Sequence, residues 1–298
     1  MKVFVIVVTY NGMKWYDRCF GSLAASSIPL EVLAVDNASK DETVGYLKEH
    51  FPAVRVFAND SNLGFGQANN AGMKYALEHG ADYVFLLNQD AWVEHSTIEA
   101  LVNTHRNHPE YGIVSCLHLN PEKNRIWQLN CLCNEQITDS SLVNDLYFGT
   151  LKDIYDTQYV NAAAWLLPRK TMEIVGGFDP IFFHYGEDDN YIHRVLFHRM
   201  KIGIRPQERI VHDMRVERPL YDTREHEILM LIDYTDVNKN HNVIHDQRQH
   251  WLKAITSLIK GRKTVAKRHY ADYQWLKNNR LAIERSVTQN RQEGPNWL

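Results

Sequence analysis

Features that mark several protein classes are scarce in this chain. Among 298 residues there are four cysteines, Cys19, Cys116, Cys131 and Cys133, too few and too irregularly spaced for a disulfide framework. The C-x-C pair at 131–133 has no second pair, which disfavours a zinc site there. We therefore expect reduced thiols in the cytosol. The formal net charge is −3, so the basic excess that nucleic-acid binding usually requires is missing.

Long apolar runs are missing as well. No stretch approaches the roughly 20 residues that a membrane-spanning helix needs. The apolar run that follows Met1-Lys2 is shorter than the apolar region of a secretory signal and has no A-x-A-like cleavage site. We expect this run to be the first strand of a cytoplasmic protein whose membrane contact, if any, is peripheral. With 44% apolar residues, the chain can bury a core.

Strand-like and helix-like segments alternate through the first half of the chain. Apolar runs predict strands at 3–8, 31–35, 54–58, 83–87 and 112–117. The alternation indicates an α/β fold with a Rossmann-like, mainly parallel sheet and flanking helices. Residues 120–158 lose the periodicity, which predicts an irregular insertion or a β-ribbon over the site, and 159–167 is predicted to return as a strand. Ser39 and Glu42 have the capping-box spacing that opens a helix.

From about residue 222 the pattern is helical to the end. We therefore predict a first domain at 1–218, divided into halves of about 1–118 and about 119–218, and a helical C-terminal extension at 219–298. A basic cluster in the extension predicts either a solvated helix face or contact with an anionic bilayer. Its members are Lys260, Arg262, Lys263, Lys267 and Arg268.

Polar side chains stand where three of the predicted strands end. Thr9 and Asn11 follow the first strand, Asp36 the second, and Asn88 and Asp90 the fourth. Ligands of open α/β sheets bind at the carboxyl ends of the strands. These residues therefore predict one crevice along one edge of the sheet.

Several motifs resemble those of the inverting family 2 glycosyltransferases, in the family's order over roughly residues 3–215. Within that family, the bacterial rhamnosyltransferase-like branch is the most similar. The motifs are Val8-Thr9-Tyr10-Asn11-Gly12, Val35-Asp36-Asn37-Ala38-Ser39, Asn62-Leu63-Gly64-Phe65, Asn69-Asn70-Ala71-Gly72, Leu86-Leu87-Asn88-Gln89-Asp90, Gly176-Gly177-Phe178-Asp179-Pro180 and Glu187-Asp188-Asp189-Asn190.

This resemblance implies a GT-A fold and transfer of a sugar from a UDP- or dTDP-linked donor to a glycan or lipid-linked glycan. A carboxylate at the second strand end suits the N3–H donor of a pyrimidine, which points to Asp36. The other donor-side residues are then Thr9, Asn11, Asn62, Gly64, Asn69, Asn88 and Asp90.

The leaving diphosphate calls for a divalent cation, Mn²⁺ or Mg²⁺, held by hard ligands. The family usually places an Asp-x-Asp or Asp-Asp where this chain has Asn88-Gln89-Asp90, so Asp90 is the carboxylate ligand that remains. His212 matches a position where related enzymes place a histidine ligand. An ordinary surface or core histidine is the alternative for His212.

The acceptor side centres on the acidic run Glu187-Asp188-Asp189. Mutual repulsion should raise at least one pKa there, and the resemblance selects Asp188 as the catalytic base that removes the acceptor proton. Arg194 is expected to hold Glu187 in place or to touch phosphate. Phe178 and Asp179 complete the predicted acceptor side.

Two other functions remain open at this point. A sugar nucleotidyltransferase would also need a nucleotide crevice, but it should carry a glycine-rich basic loop after the first strand, which Tyr10-Asn11-Gly12-Met13-Lys14 is not. A degenerate transferase that acts only as a binding subunit draws support from Asn88 alone. A dinucleotide fingerprint is incomplete because Asn69 replaces its third glycine.

Overall fold

The computed structural model describes residues 1–126, 141–213 and 223–298. Within them, nine strands form one sheet. The strands are β1 (Val3–Thr9), β2 (Glu31–Asp36), β3 (Arg55–Ala58), β4 (Tyr83–Asn88), β5 (Ala91–Val93), β6 (Tyr111–Leu119), β7 (Tyr155–Asp156), β8 (Ala164–Pro168) and β9 (Lys201–His212).

Helices cover both faces of this sheet and make up the C-terminal extension. They are α1 (Tyr16–Ala24), α2 (Thr43–His50), α3 (Phe65–Glu78), α4 (Thr97–Asn107), α5 (Leu142–Phe148), α6 (Arg169–Ile174), α7 (Glu187–Phe197), α8 (Thr223–Thr235), α9 (Val243–Ile259) and α10 (Lys263–Asn290). A short 3₁₀ turn, Met13–Trp15, precedes α1. None of the helices in the described ranges has the length and apolar character needed to cross a bilayer.

The sheet order is β3-β2-β1-β4-β8-β6-β9-β5, with β7 paired to β9. Strands β1 to β4 are mutually parallel, as the alternation predicts. Successive side chains of β1 enter two different cores: Phe4 and Ile6 face one, while Val3, Val5 and Val7 face the other. Burial on both faces explains why this strand is a continuous apolar run.

Beyond β4 the sheet becomes mixed, because β8 runs antiparallel to both β4 and β6. Strand β9 runs parallel to β6, and its pairing shifts from Cys116↔Arg205 to Leu117↔Arg209. This irregularity surrounds Pro206, a residue that sheets tolerate mainly at bulges and edges. Strand β9 is difficult to recognise in the sequence because polar residues interrupt its alternation.

Two local expectations are wrong. Helix α2 begins at Thr43 with no side-chain cap from Glu42, so Ser39 and Glu42 do not form a capping box. For 120–158, the sequence predicts an irregular insertion or a β-ribbon, whereas residues 141–158 contain α5 and the short strand β7. Residues 127–140 lie outside the described residues. Cys131 and Cys133 lie outside the described residues, whereas Cys19 and Cys116 are free and buried.

The C-terminal helices pack against one another and against the sheet domain. Tyr234, Val243, Leu276 and Ile283 form their small core. Helix α10 is attached to the domain through Asp179, whose Oδ2 accepts hydrogen bonds from Ser286 Oγ (2.6 Å) and Asn290 Nδ2 (2.7 Å). The predicted domain boundary at residue 218 lies outside the described residues and stays a prediction.

Candidate active site

Three strands end in polar residues at one edge of the sheet. Thr9 of β1 pairs with Asp36 of β2, and Val8 pairs with Asn88 of β4. Because the three strands are parallel, their carboxyl ends open into a common crevice. The positions expected from the sequence therefore do come together, and the roles of these residues stay predictions.

Asp36 organises the base of this crevice. Its side chain is almost fully buried and accepts hydrogen bonds from Thr9 Oγ1 (2.9 Å), Ser39 Oγ (2.6 Å) and Ser39 N (2.9 Å). A carboxylate has about four lone-pair positions, so one is left for a further donor. Asn11, at a positive φ of 47°, joins the same loops by accepting from Lys40 N at 2.8 Å.

Gln89 connects the strand ends and is a residue that the sequence argument did not single out. Its Oε1 accepts from Tyr10 N at 2.8 Å, and its Nε2 donates to Tyr10 O at 3.1 Å. A Cβ on Gly12 would lie 2.3 Å from Gln89 Oε1, so a larger residue there would displace the Gln89 amide. The motif Asn88-Gln89-Asp90 drew attention to its outer members, whereas the middle residue fixes the loop after β1.

Asp90 and His212 lie side by side. Strands β5 and β9 pair antiparallel with Ala91 opposite His212, and Asp213 N donates to Asp90 O at 2.8 Å. This pairing places His212 Nε2 3.3 Å from Asp90 Oδ1. The imidazole is buried, and the Asp90 side chain is 23% exposed, so the carboxylate faces the crevice.

The chemistry of this pair fits a divalent cation. Two neighbouring ligands of an octahedral ion at about 2.1 Å lie about 3.0 Å from each other, close to the observed separation. The carboxylate oxygen suits Mn²⁺ or Mg²⁺, and the imidazole nitrogen is a common ligand of divalent transition metals. Asn88 Oδ1 is buried and accepts no hydrogen bond within the described residues, so an unused oxygen lies two residues before Asp90.

Two further residues shape the surroundings of His212. The ring of His118 packs edge-on against it at 6.0 Å, and burial lowers the pKa of His118 to about 3, so His118 adds no positive charge. Asp213 Oδ2 accepts from Trp15 Nε1 at 2.7 Å and ties the end of β9 to the 3₁₀ turn. The sequence offered no signal for His118, which lies within a strand.

The loop before α3 brings the two halves of the domain together. Gly64 has a φ of 80°, and its N donates to Asn62 Oδ1 at 2.8 Å. A Cβ on Gly64 would lie 2.0 Å from the carbonyl oxygen of Phe183, which precedes the acidic run. Glycine is therefore needed for close approach of these two loops.

Asn69 and Asn70 have structural contacts in this conformation. Asn69 Nδ2 donates to Phe65 O at 3.0 Å within α3. Asn70 holds the backbone of Phe178 from both sides, with bonds of 2.8 and 2.7 Å. Phe178 itself is fully buried against Phe65, so it lies in the core rather than on an acceptor surface.

Arg194 and Asp179 also lie away from the crevice. The Arg194 guanidinium is fully buried and donates to the carbonyl oxygens of Gly177 (2.6 Å) and Val175. These hydrogen bonds fix the turn at 175–177. Arg194 forms no hydrogen bond to Glu187, contrary to the expectation that it holds that carboxylate or touches phosphate. Asp179 is buried and anchors α10.

The acidic run forms the first turn of α7. Gly186, at a φ of 89°, is the N-cap residue, and Glu187, Asp188 and Asp189 follow. Asp188 Oδ2 accepts from Tyr159 Oη at 3.0 Å, a contact between distant parts of the chain that the sequence did not predict. Asp188 is partly exposed, whereas Glu187 is only 5% exposed.

Burial dominates the electrostatics of this run. It raises the pKa of Glu187 and the pKa of Asp189 to about 7 each, and the charge on Asp188 adds to both shifts. The expected rise in pKa therefore occurs, but desolvation contributes more than mutual repulsion. Glu187 Oε2 has no hydrogen-bond partner among the described residues, which fits a carboxyl group that keeps its proton near neutral pH.

A protein-family model described as "Glycosyl transferase family 2" matches residues 4–157. The chain belongs to this family. This match confirms the family that the motifs predicted.

Curated relatives include rhamnosyltransferases. The chain is 29% identical over 127 residues to the N-acetylglucosaminyl-diphospho-decaprenol L-rhamnosyltransferase of Mycobacterium tuberculosis. This alignment covers 40% of this chain and 41% of the relative. It is 22% identical over 216 residues to the dTDP-rhamnosyl transferase RfbF of Shigella flexneri, covering 71% and 69%. The alignment thus spans about two fifths of the length of the first relative. Similarity to the rhamnosyltransferase-like branch is confirmed.

Solved structures support the fold. Residues 1–349 of TarS from S. aureus in complex with UDP-GlcNAc superpose with a TM-score of 0.59 and 16% sequence identity. The superposition covers 83% of this chain and 70% of that one. The predicted GT-A type α/β fold is therefore confirmed.

Proposed function

We propose that this glycosyltransferase is metal-dependent and inverting, and that it moves a sugar from a UDP- or dTDP-linked donor to a glycan or lipid-linked glycan. The observation that carries the proposal is the Asp90–His212 pair, 3.3 Å apart beside the aligned ends of β1, β2 and β4. In this proposal, the nucleotide and the cation bind at this edge within one crevice.

Asp36 is the proposed recognition group for the nucleobase. Three of its lone-pair positions are already used by Thr9 and Ser39, which fixes the carboxylate in one orientation. The remaining acceptor suits the N3–H of uracil or thymine, whereas the corresponding ring position of cytosine carries no proton. Two similar proteins support such donors. One relative is a dTDP-rhamnosyl transferase, and one structural neighbour was solved in complex with UDP-GlcNAc.

Asp90 and His212 would hold the cation, and Asn88 Oδ1 offers a third oxygen beside them. A divalent ion there would offset the negative charge that develops on the departing nucleoside diphosphate. His118 remains neutral behind His212, so the protein itself places no additional positive charge at that point. The N-terminus of α3, which follows Gly64, would favour the negative charge of the diphosphate.

Asp188 is the proposed base. It removes the proton from the acceptor hydroxyl as the hydroxyl oxygen attacks the anomeric carbon, and the bond to the diphosphate oxygen breaks on the opposite face. Tyr159 orients its Oδ2, and partial exposure leaves the carboxylate accessible. Protonated Glu187 and Asp189 would limit repulsion around it. Because its pKa is raised, as is that of Asp189, Glu187 is the main alternative to Asp188 as the catalytic base.

The acceptor is proposed to be reached at an anionic membrane surface. Helix α9 exposes an apolar stripe, with Leu258 60% and Ile259 80% exposed and Trp251 also exposed. Next to this stripe lies the exposed basic cluster of Lys260, Arg262, Lys263, Lys267 and Arg268. Apolar and basic surface together suit a bilayer with anionic headgroups.

Flotation with anionic liposomes tests this contact. Binding should be present at low salt, weaken at high salt, and fall when Lys263, Lys267 and Arg268 are replaced by Gln, because exposed charges are screened. The control replaces three exposed lysines elsewhere, Lys48, Lys74 and Lys277. Equal binding of both triple variants, or no binding at low salt, would contradict the membrane proposal.

A donor screen tests the central proposal. Release of nucleoside diphosphate is followed for UDP-, dTDP- and GDP-linked sugars, each with Mn²⁺, with Mg²⁺ and with chelator. We expect release from a UDP or dTDP donor that needs the metal. Full activity in chelator, or a preference for GDP donors, would refute the assignment.

A further inference from the structure

A second group of ligand-type side chains lies in the C-terminal helices, apart from the crevice. Asp272 of α10 is buried and has three histidines around it: His226 of α8, His250 of α9 and His269 of α10. This group shares no residue with the Asp90–His212 pair. The proposed transfer reaction assigns it no role.

The geometry of this group is close to that of a metal centre. Asp272 Oδ2 lies 3.2 Å from His250 Nδ1 and 4.0 Å from His269 Nδ1. One ligand atom from each of these three residues falls within 4.8 Å of the others. The second carboxylate oxygen, Oδ1, is 2.9 Å from His226 Nε2.

The two histidines that face Oδ2, His250 and His269, each have a ring nitrogen without a hydrogen-bond partner. The Nδ1 atoms of His250 and His269 are inaccessible to solvent, and neither forms a hydrogen bond of normal geometry within the described parts of the chain. Buried polar atoms nearly always have partners, and a bound ion is one of the recognised reasons for an exception. Both atoms face the same carboxylate oxygen.

We propose that His250, His269 and Asp272 form a Zn²⁺ site that joins α9 to α10. Two imidazole nitrogens and a carboxylate oxygen suit zinc, whose tetrahedral ligands at about 2.0–2.2 Å lie about 3.4 Å apart. Asp272 Oδ2 and His250 Nδ1 are already close to that separation, and His269 must move inward to complete the site. The side chains of His250 and His269 are 22% and 25% exposed, which leaves room for water as a fourth ligand.

His226 is a positioning residue in this arrangement. By binding Oδ1, it fixes the carboxylate so that Oδ2 points at the other two histidines, and it links α8 to the site. Such outer hydrogen bonds commonly alter metal affinity about 10–100-fold. The site therefore connects all three helices of the extension.

Titration of the full-length, chelator-treated protein with Co²⁺ and Zn²⁺ tests the proposal. We expect saturable cobalt absorption bands of a four-coordinate ion, displacement of cobalt by stoichiometric zinc, and a higher Tm with zinc. His250→Ala and His269→Ala should abolish these responses. His226→Ala should weaken zinc affinity about 10–100-fold.

Two controls separate this site from other effects. His245→Ala removes an exposed histidine of the same helix and should bind metal like the wild type. Asp90→Asn should also retain zinc binding, so failure of the crevice metal and failure of this site are distinguishable. If the wild-type protein gives no saturable cobalt spectrum, or the His250 and His269 variants behave like His245→Ala, the group is a hydrogen-bonded carboxylate cluster and the zinc proposal is wrong.

Discussion

Replacing Glu187 by Gln should stabilise the protein increasingly as the pH rises. Glu187 is 5% exposed, and burial raises its pKa from 4.5 to about 7. Between these two pH values the folded protein keeps a proton that the unfolded chain releases. The free energy of unfolding of the wild type therefore falls as the pH rises from about 4.5 to 7. Gln has no proton to lose, so the variant escapes this penalty.

The size of the effect follows from the two pKa values. For a single group with these pKa values, the linkage contribution changes by about 2.5 kcal/mol between pH 5 and pH 8. Any fixed cost of burying an amide is the same at both pH values and cancels in the comparison. Asp189, in the same turn, also has a raised pKa and is present in both proteins that are compared.

Urea denaturation of the wild type and of Glu187→Gln at pH 5 and pH 8 measures this difference. The control, Glu49→Gln, changes an exposed acid on α2 and should shift stability equally at both pH values. If the stability difference between Glu187→Gln and the wild type is the same at pH 5 and pH 8, Glu187 is ionised normally. The argument from burial would then fail.

Three further predictions concern the transfer reaction. Asp90→Asn should abolish metal-dependent donor binding and transfer while leaving the fold intact. The control is Asp60→Asn, which changes an exposed acid. Donor binding of the Asp90 variant that still responds to Mn²⁺ would exclude Asp90 as a ligand. Asp188→Asn should lower kcat about 10²–10⁴-fold with nearly unchanged donor affinity. A comparable loss from Glu187→Gln but not from Asp188→Asn would transfer the base role to Glu187. Asp36→Ala should weaken UDP or dTDP binding by about 1–3 kcal/mol in calorimetry, and equal binding of GDP and UDP by the wild type would show that the contact is misassigned.

The local pattern of apolar residues was sufficient to predict the parallel half of the fold. The apolar runs of β1, β2 and β4 are buried on both faces, and such strands leave a continuous signal in the sequence. The meeting of their polar ends could also be predicted, because parallel strands expose their carboxyl ends at one edge. Glycosyltransferase motifs lie on those ends, so family membership was also accessible from the chain alone.

Contacts between distant segments were not accessible in this way. The family resemblance assigned Asp90 and His212 to one cation, but their 3.3 Å approach depends on β5 pairing with β9, neither of which was predicted as a strand. Strand β5 is three residues long, and polar residues interrupt the alternation in β9, so neither leaves a clear period. Nothing in the sequence indicated that the Arg194 side chain is buried.

The sequence determined which chemical groups are present near the sheet edge, because motif and period are local properties. Tertiary structure decided which of them face the crevice and which hold the scaffold. Phe178, Asp179 and Arg194 resemble acceptor-side residues by position, yet packing buries all three. The grouping of His226, His250 and His269 around Asp272 likewise exists only once three helices meet. Charge and burial depend on neighbours far along the chain, and no local pattern records them.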